Sequence, residues 1–136
     1  MKRHFKDFDY DCDVQGCFNK LKRLKFGVLF DCFPGAISFS DVDGIVEIGG
    51  NALLLEWKPA PSVLSSGQRI MYQRLTVGRR FSVMIAAGDA STMEATHRAG
   101  FVDGRWRDWK PATLADVKAA IKGWATWAAA HPRLGG

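Results

Sequence analysis

The chain has 136 residues, 47% of them hydrophobic and 24% charged, a composition that supports a real buried core and argues against disorder. No apolar run approaches the roughly 18 residues of a membrane span, and the start Met1-Lys2-Arg3-His4-Phe5-Lys6-Asp7 continues into more charge rather than an apolar leader. Neither a spanning helix nor a secretory signal is expected, so the expected location is cytoplasmic, and the net charge of +5 favours a polyanionic partner.

In chain order, residues 1–13 form a polar, Asp-rich terminus. Val14 to Lys25 is predicted to be a helix, with Val14, Cys17, Phe18, Leu21 and Leu24 at helical spacing and a stop near Gly27. Val28-Leu29-Phe30 reads as a short strand or loop before the turn pair Pro34-Gly35. The cysteines are Cys12, Cys17 and Cys32, and an odd count in a cytoplasmic chain argues for free thiols. Their spacing lacks the paired arrangement of a zinc site, with only His4 and nearby aspartates as further ligands.

Ile45 to Ile48 and Ala52 to Trp57 are two apolar runs of strand length joined by Gly49-Gly50-Asn51, which is hairpin chemistry because glycine accepts positive φ. A Gly49-Gly50 turn places Asp43 across from Glu56, whereas a Gly50-Asn51 turn places it across from Lys58; both registers stay open. Strand alternation points Glu56 and Lys58 to one face and Trp57 to the other. Pro59 and Pro61 end the second strand.

Ser65 opens a predicted helix to about Val77, in which Gln68 fits a capping box with Ser65. Gln68 and Tyr72 are four residues apart and share a face. The plain alternatives are a capping amide for Gln68 and a core aromatic for Tyr72. Phe81 to Ala87 reads as a buried strand reached by a parallel crossover, and Thr92 to Ala99 with Gly104 to Lys110 as a further strand pair. The last helix starts at Thr113, with Asp116 in its first turn and Leu114, Val117, Ile121, Trp124 and Ala128 as a core stripe. His97 and His131 are isolated and read as structural or surface residues.

Basic residues fall into three groups: Lys20, Lys22, Arg23 and Lys25; Arg69, Arg74, Arg79 and Arg80; and Arg98, Arg105, Arg107 and Lys110, the last interleaved with Trp106 and Trp109. Beside an acidic metal cluster these favour nucleic acid over an ordinary solvated face.

Two adjacent carboxylates repel unless a cation or proton lies between them, and Mg²⁺ or Mn²⁺ is held in this way by one or two carboxylates with waters and phosphate oxygens. Lys58 would hold an attacking water or offset charge building on phosphorus. The ordinary reading of Glu56-x-Lys58 is a surface pair on a hairpin edge. Against it, a buried strand has little reason to end in a charge pair beside a third charge. Glu47, on the same face, reads as a surface residue or a further ligand.

Asp43 followed by Glu56-Trp57-Lys58 at the end of an apolar strand resembles the signature of the PD-(D/E)xK nuclease superfamily. Gln68-Arg69-Ile70-Met71-Tyr72 is similar to the Gln-x-x-x-Tyr motif of its RecB-like and lambda-exonuclease-like branch, and Phe39 to Gly44 with Ser66 to Arg69 is similar to small bacteriophage nuclease-like proteins, including VRR-NUC-type ones. The resemblance implies one restriction-endonuclease-like α/β domain over residues 1–136, a mixed sheet flanked by α-helices. It also implies Asp43, Glu56 and the Trp57 carbonyl as ligands of Mg²⁺ or Mn²⁺, Lys58 as catalytic lysine, Gln68 and Tyr72 lining the site, and DNA as substrate. A second copy of the chain and a host or phage protein are further candidate partners. The family often carries an acid on its first helix, and Asp7, Asp9, Asp11, Asp13 and Asp31 lack that motif context. The alternative function is therefore a non-catalytic phage protein of nuclease fold that binds DNA or inhibits a host protein.

Overall fold

The computed structural model describes residues 26–35, 37 and 39–133. The readings for residues 1–13 and Val14–Lys25, with Cys12 and Cys17, lie outside them. Contacts divide the chain into two units, Met1–Asp41 and Val42–Gly136.

In the first unit, Phe26–Cys32 is a 3₁₀ helix. This corrects the strand-or-loop reading of Val28-Leu29-Phe30: with no strand beside them among the described residues, these residues close their backbone locally through i→i+3 bonds. Pro34-Gly35 does turn the chain, with Gly35 at φ +64° and the Ile37 N–H donating to the Pro34 carbonyl at 3.4 Å. Cys32 is an exposed free thiol.

The second unit runs β1 (Gly44–Ile48), β2 (Asn51–Lys58), α1 (Ser66–Thr76), β3 (Phe81–Asp89), β4 (Glu94–Val102), β5 (Arg105–Pro111) and α2 (Leu114–Ala130). The strands form one five-stranded sheet in the order β1-β2-β3-β4-β5. Only β2 and β3 are parallel, and α1 supplies the crossover that a parallel pair needs. This is a mixed α/β architecture with helices packed on the sheet.

Alternation sorts the apolar residues into two cores. Leu54, Val83, Ile85, Ala99 and Phe101 pack with Tyr72 of α1, while Leu53, Met84 and Ala86 pack with Val117, Trp124 and Ala128 of α2. Strands β2 and β3 are buried on both faces, which is why their sequences are nearly continuous in apolar residues. Of the stripe expected on the last helix, Val117, Ile121, Trp124 and Ala128 pack in this second core while Leu114 joins neither cluster, and the helix begins with a complete capping box in which Thr113 and Asp116 exchange hydrogen bonds.

The register is Ile48↔Asn51 through Gly44↔Leu55, so the turn is Gly49-Gly50, with φ +60° and +88°. Both values suit a two-residue turn whose backbone twist matches the strands. A Cβ at Gly50 would lie 2.9 Å from the Arg133 carbonyl, so this position also needs glycine for close approach.

That approach belongs to a clasp around Asn51, which is fully buried. Its side-chain amide donates to the carbonyls of Ala128 at 3.3 Å and His131 at 3.0 Å, and its oxygen accepts from Arg133 Nε at 2.5 Å. The C-terminal end of α2 is thereby satisfied by the hairpin. At the other helix, Thr76 Oγ1 donates to the Tyr72 carbonyl at 2.7 Å and accepts from the Gly104 N–H at 3.0 Å, which fixes the end of α1 against the β4–β5 turn.

Asn51→Ala removes three hydrogen bonds at once, those to the Ala128 and His131 carbonyls and that from Arg133 Nε. It should lower unfolding free energy by about 2–3 kcal/mol in urea titrations, and a loss under about 0.5 kcal/mol, the scale of an ordinary surface change, would contradict the clasp.

Candidate functional site

Because Leu54 faces the α1 core, Glu56 and Lys58 face α1 as well, and Trp57 points to the α2 face, where its indole Nε1 donates to the Gly88 carbonyl at 3.0 Å. Glu56 is only 7% exposed. Its Oε1 accepts from the Tyr72 hydroxyl at 2.8 Å.

Tyr72 is itself fully buried. Burial first, then the hydrogen bond to Glu56 and its charge, push the phenol well above its ordinary range; the Gln68 amide offsets part of the rise, and the charge of Asp43 adds to it. Tyr72 therefore stays a neutral donor to Glu56 across the physiological range, and two carboxylates act on the same hydroxyl.

Gln68 does two things at once. Its backbone N–H donates to Ser65 Oγ at 3.2 Å, as in a capping box. Its side chain does not complete that box, and its Oε1 instead accepts from Lys58 Nζ across a long 3.5 Å. The backbone starts the helix while the amide faces the hairpin, because the Gln68 and Tyr72 spacing turns both toward β2.

Asp43 lies one residue before β1, a step beyond the Gly44↔Leu55 pair and so opposite Glu56. Its Oδ2 accepts from the Trp57 N–H at 2.6 Å, a side-chain bond that extends the hairpin and holds Asp43 at the end of β2. The structure thus gathers Asp43, Glu56, Lys58, Gln68 and Tyr72 at one end of the hairpin, with the Trp57 backbone among them.

The donor set suits a hard cation. Glu56 is a buried carboxylate with one hydroxyl partner and no ion pair with any described residue. Asp43 likewise has one backbone donor and no basic partner among the described residues. No group of three or more His, Cys, Asp and Glu residues assembles among the described residues, so a cation here would take Asp43, Glu56, a backbone oxygen such as that of Trp57, and water. That is how Mg²⁺ is commonly bound.

Glu47 does not join the site. It lies four residues from Asp43 along the strand, about 13 Å at ~3.3 Å per residue, and its Oε2 accepts from the Gly50 N–H at 2.6 Å. The further-ligand reading of Glu47 gives way to a turn cap.

The interleaved basic and aromatic residues of β5 separate by face. Trp106 and Trp109 join the α1 side, in a run of ring contacts from Tyr72 through Phe101 at 5.9, 5.1 and 6.4 Å between centroids. Arg107 pairs with Gly100 and Lys110 with Arg98, which puts these basic groups on the α2 side. On the α1 side, Trp106, Trp109 and Arg69 line a cleft of about 220 Å³ beside the helix that carries Gln68. That cleft is built by a loop contact, Trp109 Nε1 to the Ser62 carbonyl at 3.0 Å, which no local pattern announces. His97 bonds the neighbouring Thr96 hydroxyl at 3.0 Å and lies two strands across from Lys58, through Ala87, while His131 stacks on Trp127 with centroids 5.0 Å apart at the other end of the hairpin.

In comparisons with family models, curated proteins and solved structures, nothing matches this chain.

The Tyr72 shift has a sign that can be measured. The unfolded phenol ionises near 10.0 while the folded one stays protonated, so above that pH the unfolded state binds fewer protons and stability falls. The stability that Tyr72 contributes is full below pH 10 and is lost as pH rises above it. The gap between wild type and Tyr72→Phe, about 1.5–3 kcal/mol at neutral pH for a bond to a charged group, should shrink by up to ~1.4 kcal/mol per pH unit above 10. Parallel pH profiles for the two proteins would contradict the buried bond.

Proposed function

We propose that this chain is a metal-dependent nuclease of the PD-(D/E)xK type that hydrolyses DNA phosphodiester bonds at Asp43, Glu56 and Lys58. The observation that carries the reading is the buried, unpaired Glu56 carboxylate, held by Tyr72 and placed beside Asp43 and Lys58. A solvated surface pair would be exposed, and this carboxylate is not. An antiparallel hairpin followed by a helix and a parallel strand is also compatible with the restriction-endonuclease-like core that the motif implies.

Asp43, Glu56 and the Trp57 carbonyl would hold Mg²⁺ or Mn²⁺, which when bound lowers the pKa of a coordinated water and polarises the scissile phosphate. Tyr72 fixes the Glu56 carboxylate through Oε1 and leaves its second oxygen for the cation. Lys58, steered by Gln68 Oε1, presents an ammonium to the phosphate and offsets the charge that develops there. Arg69 would neutralise backbone phosphate, and Trp106 would offer a stacking surface on the same side of the sheet.

Cleavage assays on linear, circular, single-stranded and branched DNA, with Mg²⁺, Mn²⁺ or chelator, test the assignment. Asp43→Asn and Glu56→Gln should abolish cleavage, and calorimetry should show that each loses Mn²⁺ binding while remaining folded. Full activity in either purified variant would sink the nuclease reading.

Gln68 gives a finer test. Ser65→Ala should cost about 1 kcal/mol of stability with turnover unchanged, because only the helix cap is lost. Gln68→Ala keeps the backbone cap and should lower turnover about ten-fold, the equivalent of ~1.4 kcal/mol in the barrier. The reverse pattern would return Gln68 to a capping role.

A further inference from the structure

We propose that a second site, for a phosphate group, lies on the opposite face of the sheet, in the cavity between α2 and strands β2 to β5. The cavity holds about 270 Å³ and is lined on the strand side by Ser82, Arg98 and Arg107, on the helix side by Gly123 and Trp124, and at its end by Arg79. None of these side chains belongs to the hairpin site, so the inference does not rest on the nuclease reading.

Three buried polar atoms in the described residues have no hydrogen-bond partner: Arg79 Nε, Ser82 Oγ and Trp124 Nε1. All three residues line this one cavity. Ser82 is 4% exposed and Trp124 is 8% exposed. The arginine Nε–H and the indole N–H can only donate, and the serine hydroxyl can donate as well. A buried donor left unmade is costly, and all three lie in the walls of this one cavity, where a small shift of the side chains would turn them to an acceptor.

Charge narrows the acceptor. Three guanidinium side chains line the cavity and no acid does. Asp116 draws on Arg98, but from a separate cleft, where its carboxyl is held low first by its hydrogen bonds with Thr113. An oxyanion with several acceptor oxygens fits this set, and the planar arginine fork matches phosphate geometry.

Two backbone features agree. Arg79 takes φ +64°, a left-handed conformation unfavourable for a side-chain-bearing residue, and so sets its guanidinium 3.9 Å over the Trp127 ring. Gly123 sits inside α2, where glycine weakens a helix, yet a Cβ there would meet nothing within 4 Å. Packing does not require that glycine, which is exposed at the rim of the cavity.

Inorganic phosphate is the probe, titrated into the full chain at constant ionic strength against chloride, with melting temperature and calorimetry as readouts. Wild type should melt higher in phosphate than in chloride. Gly123→Leu, which adds a bulky side chain at the cavity rim, should weaken the effect, while Gly123→Ala should keep it. Ser82→Ala and Trp124→Phe should each weaken binding about ten-fold, the loss expected for one bond to a charged group. A 5′-mononucleotide and a DNA duplex are then competed against phosphate: displacement by the mononucleotide alone identifies a free phosphate compound as the ligand, and displacement by the duplex identifies backbone phosphate. No phosphate-specific shift in wild type, or equal affinity in wild type and Gly123→Leu, would overturn the site.

Discussion

A carboxylate placed on a strand that is buried on both faces has to be partnered, and the hydroxyl of Tyr72 is the partner of Glu56. The bond is made across the crossover, so it also fixes how α1 lies on β2. With Tyr72 in place, Gln68 one turn earlier reaches Lys58, and Thr76 one turn later reaches the β4–β5 turn. One helical face thus carries three contacts at four-residue intervals: one to the site lysine, one to the site acid and one to the scaffold. The geometry of the acid cluster and the seating of the helix are a single arrangement.

Two opposite uses of burial follow on the two faces of the sheet. On the α1 face, a buried carboxylate with no ion pair among the described residues lies next to a phenol kept neutral by its surroundings. On the α2 face, three arginines with Ser82 and Trp124 line a cavity that no acid lines. Because β2 and β3 are only one residue thick, neighbouring residues such as Ser82 and Val83 serve different faces. The sheet therefore keeps two polar environments apart within one small unit.

Much of this was legible in the chain because it depends on short-range geometry. Gly49-Gly50-Asn51 announced a hairpin with two registers open, strand period placed Glu56 and Lys58 together and Trp57 apart, and the spacing of Gln68 and Tyr72 put them on one helical face. The crossover followed from a helix lying between two apolar runs. What the chain did not announce depends on contacts distant in sequence. Nothing around Asn51 says that it will close the end of a helix some 80 residues on. The β5 residues read as one basic and aromatic patch, but pairing with β4 assigns the tryptophans and the cations to different faces. Val28-Leu29-Phe30 carried an apolar signal with no partner to make it a strand, and local hydrogen bonding prevailed. Ser82 and Trp124 look like ordinary core positions until the space between them is seen.

The Asn51 clasp gives the unit a particular order of assembly. The hairpin is encoded early and is locally complete, yet its buried amide is satisfied only by Ala128, His131 and Arg133. During synthesis from the N-terminus, β1 and β2 emerge long before those partners do, and their turn must wait for the end of α2. Contacts of such sequence separation slow folding because the loop must close before the bonds reward it. The strand that bears Glu56 is therefore among the first made and among the last secured, so a nascent chain would carry the acid pair before it has the framework that holds it.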